Sequence, residues 1–317
     1  FSVDGAPDPM GFKDNISRTF LDFKKRIEKD NFIHNQFYTS DFAVKFLRLI
    51  EDHLPAKRLV DLIAFKLIVS IGDFSIESLR IECRKHLNKI PESTLTNCLQ
   101  FMSGTFFDKT DNAKYPNIGS SNEDFNFFNL SENLKSILQE KYYNQIFLES
   151  INYGICRYEN EFPERDLKYP DFALYSQYNM RQTALLCNYD KKHSAFRGQG
   201  LSTFKNEYFL FSDLHKKEDA IKYRDKFINE KVFQWDSPNS TAQDTDQGKK
   251  IINHQSLGIN LHLFVRKFKE IDNRVQGYVY IGTGNVISFE ENRPILFQIQ
   301  LQNKVPADIY SEFVTIV

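Results

Sequence analysis

Residues Phe233-Gln-Trp-Asp-Ser-Pro-Asn-Ser-Thr241 set the only tryptophan of the sequence, Trp235, beside a carboxylate, Asp236, at the head of a small polar run. Gly248-Lys249-Lys250 and Leu263-Phe-Val-Arg266 follow downstream. An indole stacks on a flat heteroaromatic ring, and base-on-aromatic stacking contributes roughly 1–3 kcal/mol per base. An ionised carboxylate only accepts hydrogen bonds, so Asp236 suits the exocyclic amine of cytosine. Ser237, Asn239, Ser240 and Thr241 are short polar groups suited to base edges or phosphates, and Lys249, Lys250 and Arg266 suit phosphates. These types point to binding of a base on a polyanionic backbone, with Trp235, Asp236, Phe233 and Tyr280 as the expected pocket. Residue type alone leaves a plainer alternative open, in which Trp235 fills a core and Asp236 caps the turn after it.

Signatures of catalysis are missing from the sequence. It has no GxxxxGK[ST] phosphate loop, no HExxH, no GxSxG and no paired HxK motif. Gly282-Thr-Gly284 is a lone GxG, the text of a tight bend rather than of a cofactor cradle. Asp166-Leu-Lys168 imitates part of a nuclease metal site, but no carboxylate precedes it at a spacing suited to two-metal chemistry. His262 alternates with apolar neighbours and reads as a hydrogen-bonded structural histidine, and His254 sits nearer the polar loop. Cys83, Cys98, Cys156 and Cys187 form no CxxC pair, which speaks against zinc and for reduced thiols in a cytoplasmic protein. No catalytic residue, metal site or cofactor is therefore expected in this chain.

The 317 residues can form two domains, and a net charge of −1 means that any nucleic-acid footprint must be a local patch. Local basic clusters exist at Lys191, Lys192 and Arg197, at Lys216 and Lys217, at Lys249 and Lys250, and at Arg266, Lys267 and Lys269. No apolar run reaches the ~18–20 residues of a membrane helix. Residues 1–12 resemble a vector-derived leader and are set aside.

Residues 13–165 read as helical. Ser40 caps a helix with Phe42, Ala43, Phe46, Leu47 and Ile50 on one face, and Arg58 to Ser70 is apolar nearly all round, as in a buried helix. Ser75–Leu87, Pro91–Met102, Ser131–Gln139 and Tyr142–Tyr158 continue the pattern, with a loop expected from Asp111 to Asp124. Beyond a short helix at Asn179–Asn188, residues 166–317 turn to period-two alternation. Ile259, Leu261, Leu263 and Val265 alternate with polar or aromatic neighbours, as do Ile295, Phe297, Ile299 and Leu301. Glu207–Phe211, Lys231–Trp235 and Tyr278–Ile281 add strands. The expected class is α+β: an all-helical bundle followed by a small mixed domain with a curved sheet or barrel.

A resemblance sharpens this. Tyr178 to Arg181, Leu185-Leu186, Gln199-Gly200, Phe209 to Lys216, Tyr223-Arg-Asp225, Phe233 to Ser237, Asn239, Thr241, Gly248, His254, Leu263 to Arg266, Tyr280-Ile-Gly282 and Pro294 occur in that order over some 130 residues. This text resembles the C-terminal domain of SauUSI-like modification-dependent (type IV) restriction endonucleases, which carry a phospholipase-D-like nuclease and a superfamily 2 helicase motor. The preceding helices resemble the coupler between motor and C-terminal domain. The resemblance implies an SRA-like (PUA-like) target-recognition domain that flips 5-methylcytosine or 5-hydroxymethylcytosine out of double-stranded DNA. It also implies helicase and nuclease domains elsewhere in the full-length bacterial protein, ATP and Mg for that motor, and a role in phage defence. The chain departs from the family text at Gln234, Asp236 and Pro238, where His, Gln and Gln are frequent.

Overall fold

A computed structural model of the chain describes residues 40–54, 57–162, 166–196, 200–215, 224–271 and 274–315. The leader expected at residues 1–12 and the basic residues Arg197, Lys216 and Lys217 lie outside the described residues. The chain divides into two compact units, Phe1–Asp171 with Asn188–Ser194, and Phe172–Cys187 with Ala195–Val317.

The first unit is built on helices whose starts and faces follow the sequence. Helix α1 (Asp41–Glu51) begins where Ser40 accepts the Ala43 N–H, and it buries Ala43, Phe46, Leu47, Leu49 and Ile50. Helix α2 (Leu59–Ile71) is apolar on every side and packs with the long α7 (Lys141–Glu161). Phe46 at the centre meets Phe147 edge-on, with ring centroids 4.8 Å apart. Between them the chain runs through β1 (Phe74–Ser75), α3 (Ile76–Cys83), α4 (Glu92–Met102), α5 (Lys109–Lys114), β2 (Gly119–Ser121), β3 (Phe127–Leu130) and α6 (Glu132–Ile137). The Ser75 and Ser131 hydroxyls cap α3 and α6.

The expectation of an all-helical first domain is corrected here. Strands β1, β3 and β2 form an antiparallel sheet in that order, and the stretch expected as a loop from Asp111 to Asp124 holds the end of α5 and all of β2. Strands of two to four residues are too short for alternation to reveal them.

The second unit is a mixed sheet. Its strands are β4 (Gln177–Tyr178), β5 (Leu201–Phe204), β6 (Glu207–His215), β7 (Lys226–Asn229), β8 (Val232–Asp236), β9 (Asn260–Phe268), β12 (Tyr278–Glu290) and β13 (Leu296–Leu301), while β10 (Glu270–Ile271) and β11 (Arg274–Val275) make a separate hairpin. The order β5-β6-β9-β12-β13-β8-β7, with β4 also on β12, leaves the sheet open rather than closed as a barrel. Neighbours are antiparallel except β6 and β9, which run parallel. Helices α8 (Met180–Leu186), α9 (Asp246–Ile252) and α10 (Ala307–Val314) complete the unit.

The pleat separates two interiors. One face carries the apolar core of Phe233, Trp235, Leu261, Leu263, Ile281, Phe297 and Ile299. Alternate positions build an aromatic cluster in which Phe172 touches Phe209, His262, Phe264 and Tyr280.

The expected bend at Gly282 and Gly284 is instead part of continuous strand β12, with a bulge between Tyr280 and Gly282. Gly284 lies opposite Leu301, where a Cβ would fall 2.5 Å from the Ile299 Cγ2 and 2.9 Å from the Gln300 carbonyl oxygen. Close approach of the strands, not a turn, is what requires glycine there. Gly284→Val is expected to destabilise the fold by about 1–3 kcal/mol, the usual cost of overpacking, as read by urea unfolding.

Candidate nucleic-acid interface

Strand β8 pairs with β13 so that Trp235 stands opposite Phe297 and Asp236 opposite Leu296. The pleat sends Phe233 and Trp235 inward. Trp235 is 1% exposed and stacks on Phe297 at 5.8 Å and 25°, and Phe233 is equally covered, edge-on to Phe227. Neither ring offers a face to a base, which corrects the expected stacking role: both side chains fill the core. Tyr280 points into the aromatic cluster on the other face of the sheet, and its hydroxyl meets the His262 Nδ1 at 3.0 Å. Burial pushes its phenol well above the ordinary range. The structure therefore does not bring Tyr280 together with Trp235 and Phe233.

Asp236 is also committed. One carboxylate oxygen accepts the Arg224 backbone N–H at 2.6 Å, and the other accepts the Arg224 Nη2 at 3.0 Å. Gln234, one pleat position away, donates to the Arg224 carbonyl at 2.7 Å. The Asp236 N–H in turn donates to Asp225, which also accepts from the Ser212 hydroxyl. Arg224 extends beyond Asp236 to hold both oxygens of Glu291 at 2.7 and 3.0 Å. Its hydrogen bonds to Glu291 and then Asp236 hold the guanidinium pKa above its usual value, and they hold the Glu291 carboxyl below its own. With 45% of its side chain exposed, Arg224 is, at the surface, the shared cation between two carboxylates.

The polar loop after β8 is tied to the turn between β12 and β13. Ser237 is buried, accepts the Ile295 N–H at 2.9 Å and returns its own N–H to the Ile295 carbonyl. Thr241 is buried as well, its N–H donating to Pro238. Gln243 donates to Asn292 and to the Glu291 carbonyl. The loop then runs into α9, capped by Thr245, and Gly248 packs so tightly on Ala242 that a Cβ would lie 2.0 Å from the Ala242 carbonyl oxygen. Loop and helix thus form one anchored piece. Asn239, Ser240, Asp244, Asp246, Lys249 and Lys250 are its exposed side chains, while Ser237 and Thr241, expected to touch DNA, are structural.

Arg266 is not a phosphate ligand here. It is buried, doubly bonded to Asp213 at 2.6 and 3.0 Å, bonded to the Gln276 carbonyl, and seated 4.1 Å from the centre of the Tyr278 ring. Asp166 of the nuclease-like triplet is exposed and forms a backbone bridge with Lys89. Among the described residues no group of three or more His, Cys, Asp or Glu is placed to hold a metal.

Sequence reasoning missed the partners in three polar devices, although it read His262 as the hydrogen-bonded structural histidine that it is. Arg224 and Glu291 are the first, although Arg224 lay inside text that carried the resemblance. The second is His254, whose Nδ1–H donates to the Ile259 carbonyl while Nε2 accepts the Val286 N–H. The third is the buried chain in which Asn260 donates to Glu207 and the Glu207 carboxylate meets the His262 Nε2 at 2.6 Å.

Residues 1–161 match the model of a family described as a domain of unknown function, DUF8090. The chain belongs to the DUF8090 family. Residues 172–313 of this DUF8090 chain match a second model, DUF3427, also described as a domain of unknown function, and the corner built by Arg224, the polar loop and α9 lies wholly within that match. No curated protein matches the chain.

Trp235→Ala is expected to cost about 3–5 kcal/mol of stability, as for other buried aromatic truncations. Asn239→Ala is expected to stay within about 0.5 kcal/mol of the parent. Urea unfolding of both variants checks the assignment of Trp235 to the core and Asn239 to the surface.

Proposed function

We propose that this chain is the DNA-reading fragment of an ATP-dependent, modification-dependent (type IV) restriction system, and that its second unit recognises 5-methylcytosine or 5-hydroxymethylcytosine in double-stranded DNA by base flipping. The observation that carries the reading is the exposed polar corner of Asn239, Ser240, Lys249 and Lys250, in a region whose ordered residue text resembles target-recognition domains. The lysines supply the phosphate contacts that fix register, and Asn239 and Ser240 supply short donors and acceptors for a base edge. The Asn239 side-chain carbonyl takes over the role of amine acceptor first assigned to Asp236. Trp235 serves beneath this corner as the post that holds β8 in place.

Burying the methyl group of a modified cytosine contributes only about 0.8 kcal/mol. A larger preference for modified DNA must therefore come from the easier extrusion of the modified base or from exclusion of water around it. The nuclease and helicase domains of the full-length protein, with ATP and Mg, would do the cutting and translocation. The protein would act in the bacterial cytoplasm, and no helix among the described residues is long and apolar enough to cross a membrane. The burial of Trp235 and Tyr280 favours a second reading, in which the unit holds DNA without base specificity and serves chiefly as a protein-interaction module of the helicase–nuclease.

Fluorescence anisotropy with one short duplex, with and without a single 5-methylcytosine, at several salt concentrations separates these readings. Tighter binding to the methylated duplex is the expected result, and equal affinity for both duplexes would sink base recognition. Replacing Lys249 and Lys250 together by alanine is expected to flatten the log–log salt slope by roughly 2, about 0.9 per lost phosphate contact. An unchanged slope would remove α9 from the interface.

A further inference from the structure

The first unit contains a pattern that the proposed DNA reading does not use. From α2 onward, leaving out the six-residue α5, its elements run helix, strand, helix, helix, strand, strand, and the three strands pair in the order β1-β3-β2. That succession and that strand order are those of a winged helix. Helix α3, the turn after it and α4 form the helix-turn-helix, α4 stands in the recognition-helix position, and the hairpin between β2 and β3 is the wing. Helix α5 is an insertion between α4 and β2.

A winged helix that reads DNA presents α4 to the groove and sets cations on the phosphates, because the phosphate contacts supply most of the affinity. Here the charge is wrong for that use. No lysine or arginine occurs from Pro91 to Asp108, which spans α4, or from Tyr115 to Leu134, which spans the wing. Glu92 at the start of α4 and Glu123 and Asp124 in the wing are exposed carboxylates.

Three polar side chains of α4, Ser93, Thr94 and Asn97, are already occupied by protein. The Asn188 amide nitrogen donates to the Thr94 hydroxyl at 3.1 Å and to the Ser93 hydroxyl at 3.4 Å. The Asn188 carbonyl oxygen accepts from the Arg58 Nη1 at 3.0 Å. The same Arg58 nitrogen donates to Asn97 of α4 at 2.8 Å, and the rest of the guanidinium forms a bidentate pair with Asp61 at 2.7 and 2.8 Å. Arg58, Asp61, Thr94, Asn97 and Asn188 are all buried. A second grip lies beyond the C-terminal end of α4. The His193 N–H donates to the Phe106 carbonyl, the His193 ring stacks on Phe106 at 4.9 Å and 12°, and the Lys192 ammonium donates to the Thr105 carbonyl.

We infer that the first unit is a winged-helix module whose α4 is a peptide-binding surface, occupied by residues 188–194 of its own chain and not by DNA. The module reads an asparagine through the Ser93, Thr94, Asn97 and Arg58 cluster, and a histidine five residues later through Phe106. Buried polar groups lose their partners when such a peptide leaves, so the occupied state is the stable one.

Hydrogen exchange on the full chain, with DNA binding measured alongside, tests this. In the parent protein the His193 amide should be protected. Asn188→Ala should speed its exchange tenfold or more, leaving α2 and α7 protected and DNA affinity unchanged. His193→Ala breaks only the second grip and should speed exchange in residues 188–194 even if Asn188→Ala proves too unstable to handle. A His193 amide already unprotected in the parent would overturn the inference. So would a variant that gains salt-dependent DNA binding which Thr96→Glu then abolishes, since α4 would then be a DNA-reading helix covered by its own chain.

Discussion

Strand β12 must satisfy its backbone groups along both edges, and the second unit is arranged around that requirement. On one edge it pairs with β9 from Val279 to Gly284; on the other it pairs first with β4 and then with β13. Where β9 runs out, the Val286 N–H would face a buried gap, and the His254 Nε2 fills it while Nδ1–H is spent on Ile259. Because β13 lies along β12, β8 can lie along β13. The end of β8 then fixes the polar loop, Arg224 and α9. The corner with the exposed cations is thus the far consequence of a ladder built on buried main chain.

The same logic explains how much of the site was legible. Period-two alternation in β9 and β13 announced strands and their inward residues, and the Ser40 cap with its apolar face announced α1. What alternation cannot say is whether an inward aromatic faces a core or a pocket. Trp235 and Phe233 were read correctly as one side of a strand and wrongly as the wall of a cavity. Tyr280 sits on β12 with its side chain on the opposite side of the sheet, a fact that depends on the bulge between Tyr280 and Gly282. A bulge shifts which side of the pleat a residue takes, and nothing in the local text announces it.

Charged groups were least legible of all, since their partners are remote in sequence. Asp236 looked available because the residues around it are small and polar, but Arg224 reaches it from just before β7. Arg266 looked basic and free until Asp213, Gln276 and Tyr278 enclosed it. In the first unit, Arg58 directly precedes an apolar helix and gave no sign that it gathers Asp61, Asn97 and Asn188 into one buried cluster. Of the predicted contact residues, Asn239, Ser240, Lys249 and Lys250 stay exposed, on a loop and helix that the Ser237, Gln243 and Thr245 side chains anchor.

The parallel register of β6 with β9, and the antiparallel pairing of β4 with the start of β12, bear on how the second unit comes to exist. Tyr178 must find Tyr278, and Glu207 must lie beside Asn260, before either pair has a sheet to join. Closing such long stretches of chain costs entropy that is repaid only when the ladder is nearly whole. The strand on which the others depend is also made after β4 to β9. While it is still being synthesised, β6 and β9 carry long apolar edges with nothing to cover them. A cell making this protein therefore meets its greatest hazard of aggregation in the interval between completion of β9 and release of β13.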